Sequence, residues 1–153
     1  MVDLAAMASW AEFALAEPEL AQYGWELLRE EQGYAYLATV TDGGSPRVHP
    51  VLPFVADGRL VVSVATTSPK AGDLRTRACY MLHATVGDND TEFAVRGHAV
   101  ELPATLHSLA VDRHELNKVE LLEGHVLFEL DIDRVDAAIW EDGPARRQTW
   151  LAE

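Results

Sequence analysis

The sequence predicts a mainly β domain, an antiparallel barrel of six to eight short strands preceded by helices. Three observations carry that expectation. Helical spacing is strongest in the first third of the chain, and after Tyr34 the apolar residues alternate or fall in short blocks. Turn signals built on Asp, Asn and Gly separate those blocks, at Asp42-Gly43-Gly44, Asp57-Gly58, Gly87-Asp88-Asn89-Asp90 and Asp142-Gly143-Pro144. Few helices intervene between the strands, which argues against a doubly wound parallel sheet.

Each element has a local reason. Ser9 followed by Glu12 has the spacing of a capping box, so a helix starts at Trp10 and runs to about Ala16. Pro18 suits the first turn of a second helix, where its missing N–H costs nothing. Leu20, Tyr23, Leu27 and Leu28 give that helix an apolar face, and Gly33 ends it. Strands follow over Tyr34–Val40, Arg47–Leu52 and Arg59–Ala65, and Pro50 places the second at a bulge or a sheet edge. A polar loop, Thr66 to Lys70, leads into a short helix from Ala71 to Arg77. Cys79–Val86 and Glu92–Glu101 are the next strands, and Pro103 to about Leu122 reads as helical. His125–Ile132 is a strand, and Asp136–Glu141 with Arg146–Leu151 makes a closing hairpin. The expected organisation is one domain over 1–153, with a helical segment at 1–32 and the barrel at 34–151.

Composition narrows the function. Twelve basic residues against 25 acidic ones give a formal net charge of −13. Such a field repels phosphate backbones and anionic membranes, so neither nucleic acid nor a membrane is the expected partner. Cys79 is the single cysteine, which excludes an intrachain disulfide and a cysteine-based zinc site. No apolar run nears the ~20 residues of a membrane helix. The N-terminus lacks a basic-then-apolar leader, so a cytoplasmic setting is expected.

Three places collect unusual residues. On the second strand Arg47 and His49 share one face and Val48 takes the other, the pattern of a solvated edge strand or of a binding edge. The loop Thr66-Thr67-Ser68-Pro69-Lys70 offers hydroxyls, helix N-terminal N–H groups and an ammonium, which suits a phosphate and equally a simple Ser cap. Trp140, Arg146, Arg147 and Trp150 gather in the last hairpin, either to flank an aromatic anion or to plug the barrel. The six histidines show no His-x-x-x-His zinc pair, and His107, Asp112 and His114 read as a polar helix face. Ser68 lacks the Gly-x-Ser-x-Gly setting of a hydrolase nucleophile.

The order of these features resembles the pyridoxamine 5′-phosphate oxidase-like family of flavin-binding split β-barrels. The resemblance rests on Leu37-Ala38-Thr39-Val40, Pro46-Arg47-Val48-His49-Pro50-Val51, Ser68-Pro69-Lys70 with Asp73-Leu74-Arg75, Tyr80-Met81-Leu82-His83 and Val95-Arg96-Gly97-His98-Ala99. It covers about Tyr34 to Glu101, with a looser echo from Trp140 to Trp150. It implies an antiparallel split β-barrel with N-terminal helices and a short phosphate-loop helix. It also implies a homodimer with a flavin mononucleotide (FMN) or the deazaflavin coenzyme F-420 in each intersubunit cleft. Arg47 would then meet the cofactor phosphate, and Val48 and His49 would lie beside the ring. Ser68 and Lys70 would hold the phosphate with Thr66 or Thr67, and Trp140 and Arg146 would reach in from the other subunit.

Two departures stand out. Pro69 replaces the oxidase's basic residue before the lysine, and Arg146-Arg147-Gln148 lacks the histidine of its substrate clamp. The resemblance therefore implies an oxidoreductase of unknown substrate, or a non-enzymatic flavin- or haem-binding barrel, with no catalytic acid or base evident. The non-alternating runs Val61-Val62 with Val64-Ala65, and Tyr80-Met81-Leu82, imply strands buried on both faces and point to the same dimer.

Overall fold

Why the sheet curls follows from its strand order and two short links. In a computed structural model, which describes residues 6–29, 33–86, 90–106, 124–140 and 142–153, eight strands form one antiparallel sheet. They are β1 (Ala35–Val40), β2 (Pro46–Val51), β3 (Phe54–Ala56), β4 (Arg59–Ala65), β5 (Cys79–Ala84), β6 (Glu92–Glu101), β7 (His125–Ile139) and β8 (Arg146–Leu151). Their order is β2-β1-β5-β6-β7-β4-β3, with β8 added on β7. The two edges, β2 and β3, are joined through Leu52 and Pro53 alone. So short a link between opposite edges forces the sheet to curl into an open barrel with a seam between them. Pro50 sits on edge strand β2, where its missing N–H breaks no inner ladder.

Among the described residues the α-helices are α1 (Trp10–Ala16), α2 (Pro18–Arg29) and α3 (Pro69–Thr76). The capping box forms as the sequence predicts: the Glu12 N–H donates to Ser9 Oγ and the Ser9 N–H to Glu12 Oε1, each at 3.1 Å. Trp10 and Phe13 of α1 meet Phe93 of β6, and Phe13 also meets Trp150 at 5.1 Å between ring centroids. Gly24 lets α2 lie directly on the Phe93 ring, where a side chain would collide. Among the described residues no helix is long and apolar enough to cross a membrane.

The structure departs from the sequence reading at three points. The three-residue β3 lies where no strand was expected. The two expected strands His125–Ile132 and Asp136–Glu141 are one 15-residue strand, β7. Asp133, in the gap between those two expected strands, is the extra residue of a β-bulge, since Arg96 pairs with Arg134 while Gly97 pairs with Ile132. Its carbonyl accepts the Ala152 N–H at 3.0 Å and its carboxylate takes Arg96 Nε at 3.1 Å, so the ladder continues through it. Thirdly, Val61 and Val62 are both buried within one chain, because Phe54, Leu102 and Leu127 cover the outward side of β4. Of the expected helix from Pro103 to Leu122, only a 3-10 turn at Ala104–Leu106 is described; His107, Asp112 and His114 lie outside the described residues.

β7 is the hub of the sheet. It pairs with β6 along its length, with β4 over 125–129 and with β8 over 134–139.

Candidate functional site

Period-two alternation turns Thr39, Arg47 and His49 toward α3 and leaves Val48 outside, 61% exposed. Thr39 and Arg47 are cross-strand partners, and both reach the carboxylate of Asp73 on α3. Thr39 Oγ1 donates to Asp73 Oδ2 at 2.7 Å and Arg47 Nε donates to the same oxygen at 2.9 Å. Asp73 is only 6% exposed. Burial is the largest single influence on its carboxyl and pushes the pKa up, but the Thr39 and Arg47 hydrogen bonds and the Arg47 charge together hold it below the usual value. Asp73 was not singled out in the sequence for its own role; an acid in a short helix reads as surface, and only the tertiary fold sets it over β1 and β2.

This arrangement fixes Arg47 by one nitrogen and leaves its two terminal nitrogens without a partner among the described residues. Lys70 is three residues before Asp73 on α3, hence on the same helical face. His49 adds a buried Nε2 with no partner among the described residues. Its pKa is lowered first by burial and then by the neighbouring charges of Lys70 and Arg47, against the pull of Asp73, so the ring is neutral at pH 7. Ser68 caps α3: its hydroxyl donates to the Ala65 carbonyl at 2.8 Å and accepts the Ala71 N–H at 3.4 Å. Thr66 and Thr67 are exposed beside it, with hydroxyls unpartnered among the described residues.

The ion pairs leave cations without a carboxylate in two separate places, at Lys70 and on β8. Arg47, Arg59, Arg75, Arg96 and Arg134 each have a carboxylate partner. Arg77 donates to the Asp42 carbonyl, and Arg29 lies over the Trp25 ring. Lys70, Arg146 and Arg147 have none among the described residues. In a chain with 25 acidic side chains, three cations left unpaired have an electrostatic reason to await an anion.

Trp140 and Arg146 lie elsewhere in the chain. They flank the turn from β7 to β8, and four strands stand between β8 and β2 in the sheet order. Trp140 is 39% exposed, whereas Trp150 packs on Phe13 in the core. One chain thus assembles Arg47, His49, Ser68 and Lys70 with the two threonines, and leaves Trp140 and Arg146 apart.

No family model matches the sequence, and no curated protein does. Solved structures do. A pyridoxamine 5′-phosphate oxidase-related, FMN-binding protein of Nostoc punctiforme superposes with a TM-score of 0.68 at 15% identity, covering 92% of this chain and 91% of its own. The fold is the pyridoxamine 5′-phosphate oxidase-type split barrel. A nimC/nimA family protein of Clostridium acetobutylicum shares this split barrel, with a TM-score of 0.64 at 16% identity over 91% of this chain and 99% of its own. So does a heme-binding protein of Mycobacterium smegmatis, at 0.61 and 16% over 77% of this chain and 52% of the other. In split-barrel terms the seam between β2 and β3 is flanked on one side by the strand that carries Arg47 and His49.

Proposed function

We propose that this split barrel binds FMN, with the phosphate held by Arg47, Lys70 and the first turn of α3, and that it serves as a cytoplasmic flavin-dependent oxidoreductase. The observation that carries the reading is that the cations Arg47 and Lys70 both lie close enough to act on His49, whose buried Nε2 has no partner among the described residues. A phosphate supplies acceptors for each of these donors, and a neutral His49 is free to hydrogen-bond a ring heteroatom. The Nostoc neighbour's FMN binding supports the choice of ligand. A bound flavin supplies hydride and electron transfer; the chain supplies position and charge. Thr66 and Thr67 offer hydroxyl donors at the phosphate, Ser68 holds the turn that presents them, and Val48 with His49 lines the ring edge.

The reading includes a homodimer, in which Trp140 and Arg146 of a second copy complete each cleft. Its support is an outward apolar patch on β2, β1 and β5. Val48 and Met81 are both cross-strand neighbours of Ala38, and they are 61% and 36% exposed, with Tyr36 beside them at 51%. Sedimentation at micromolar concentration should show a species of twice 16.9 kDa. A lone monomer there would overturn both the dimer and the shared cleft.

Parallel fluorescence titrations with FMN and coenzyme F-420 test the ligand. FMN is expected to bind more tightly, since Arg75 and Arg77, which could have lined a groove for the acidic deazaflavin tail, are already engaged by Glu101 and the Asp42 carbonyl. Lys70→Ala should weaken FMN binding by about 1.5–3 kcal/mol, the scale of a hydrogen bond to a charged group. Unchanged affinity would remove Lys70 from the phosphate site. The heme-binding Mycobacterium neighbour favours a second reading, a haem-carrying barrel, which a Soret band on mixing with haemin and no FMN quenching would support.

A further inference from the structure

We propose that Asp73 is a positioning residue: it holds Arg47 by Nε and so aims both terminal nitrogens of that guanidinium at a phosphate. The role rests on the FMN reading and places behind the ligand contacts a residue that never touches the ligand. An acid beneath an anion site repels the anion, so its presence there calls for a physical reason.

Asp73 is held in place from two sides. Its neighbours Ala71 and Leu74 are buried, which seats this part of α3 on the barrel. Its carbonyl accepts the Arg77 N–H at 2.9 Å and the Ala78 N–H at 3.3 Å, where α3 ends. The buried Thr39 hydroxyl fixes the carboxylate itself by donating to Oδ2 at 2.7 Å. Arg47 Nε donates to that same oxygen at 2.9 Å. Two donors share one oxygen, so Arg47 gains one anchoring bond and keeps both Nη groups. Arg134 shows the alternative: its Nε and Nη2 both go to Asp136, and the fork is used up. The arginine end of the Arg47–Asp73 pair is 36% exposed and the acid end 8%, so the guanidinium is open on the side away from Asp73.

Asp73 therefore acts on a phosphate in two opposed ways. Its charge offsets one of the two cations, Arg47 and Lys70, and weakens the attraction. Its hydrogen bond removes the freedom of a long side chain before the ligand arrives. Less entropy is then lost when the two Nη groups form parallel bonds to phosphate oxygens. A variant that keeps the acceptor and drops the charge separates the two effects. Asparagine does so, because both donors use one oxygen and an amide oxygen has two lone pairs to offer them. Alanine removes acceptor and charge together and leaves the buried Thr39 hydroxyl unpaired. If the pair served stability alone, neither variant would discriminate a phosphate from its absence.

Fluorescence titration of the full chain with FMN, and with riboflavin as the probe that lacks a phosphate, tests this. Asp73→Ala should bind FMN about tenfold more weakly than the parent and riboflavin equally well. Asp73→Asn should bind FMN at least as tightly as the parent, so the two variants move in opposite directions. A readout without flavin is the Arg47 Nε–Hε resonance: protected from exchange in the parent and in Asp73→Asn, and lost in Asp73→Ala. If Asp73→Ala fails to fold, Asp73→Asn and the parent resonance still decide. Parent-like FMN binding by Asp73→Ala, equal losses in both variants, equal losses for FMN and riboflavin, weaker FMN binding by Asp73→Asn, or an unprotected Arg47 resonance in the parent would each overturn the proposal. A parent that binds no FMN would sink the flavin reading instead. Inorganic phosphate, read by the shift of the Arg47 resonance, then tests Asp73 by itself, and no shift there would overturn its role.

Discussion

Gly97→Ala should destabilise the chain by about 3 kcal/mol or more, at or beyond the upper end of ordinary overpacking. A β-carbon at Gly97 would fall on the carbonyl oxygen of Asp131 and lie 2.8 Å from its carbonyl carbon and 3.0 Å from the Ile132 Cα. These are backbone atoms of a ladder strand and cannot swing aside as a side-chain end can. The same carbonyl accepts the buried Tyr80 hydroxyl at 2.9 Å, so moving it also strips Tyr80 of its partner. Gly97 stands at the register shift opposite the Asp133 bulge, where β7 comes close over β6. Denaturant titration of parent and variant checks the expectation; stabilities within about 1 kcal/mol of each other would show that the bulge yields.

Glu129→Gln should stabilise the chain at pH 8 by about 2–3 kcal/mol and leave it unchanged near pH 4. Burial first, and then the neighbouring Asp131, push the Glu129 carboxyl from its usual 4.5 up to about 7, against the pull of Arg59, whose Nε is 3.3 Å away. Asp131 is pushed up as well, chiefly by burial. A carboxyl whose pKa is higher in the folded chain binds its proton more tightly there than in the unfolded chain. Its contribution to stability is therefore full below pH 4.5 and is lost as pH rises through about 7. Glutamine keeps the shape and never ionises, so it removes the loss. Thermal melts at pH 4 and pH 8 decide it: a variant less stable than the parent at pH 8 would mean that Glu129 is ionised and held by Arg59.

The sequence made most of the barrel legible, for local reasons. β4, β6 and β8 begin and end where alternation and turn residues place them, and the Ser9–Glu12 box starts α1 at Trp10. β3 escaped notice because three residues carry no measurable period. The continuity of β7 was hidden because a bulge residue and a turn residue look alike: Asp133 with Arg134 is polar in either role. At the site, Arg47, His49, Ser68 and Lys70 were recognisable by residue type and order. Asp73 was not, since its place under Thr39 depends on a contact between residues 34 apart in the chain.

The threefold pairing of β7 has a consequence for how the chain must assemble during synthesis. When β1 to β6 have left the ribosome, β4 has only the three-residue β3 beside it and β6 has only β5. Each therefore presents a bare edge of unpaired N–H and C=O groups, with Val61, Val62 and Val64 on one and Phe93 and Val95 on the other. Both edges are capped at once when residues 125–139 arrive. Until then the nascent barrel is a template for strand addition by any other chain, so the interval between the synthesis of β6 and of β7 is when it is most exposed to aggregation.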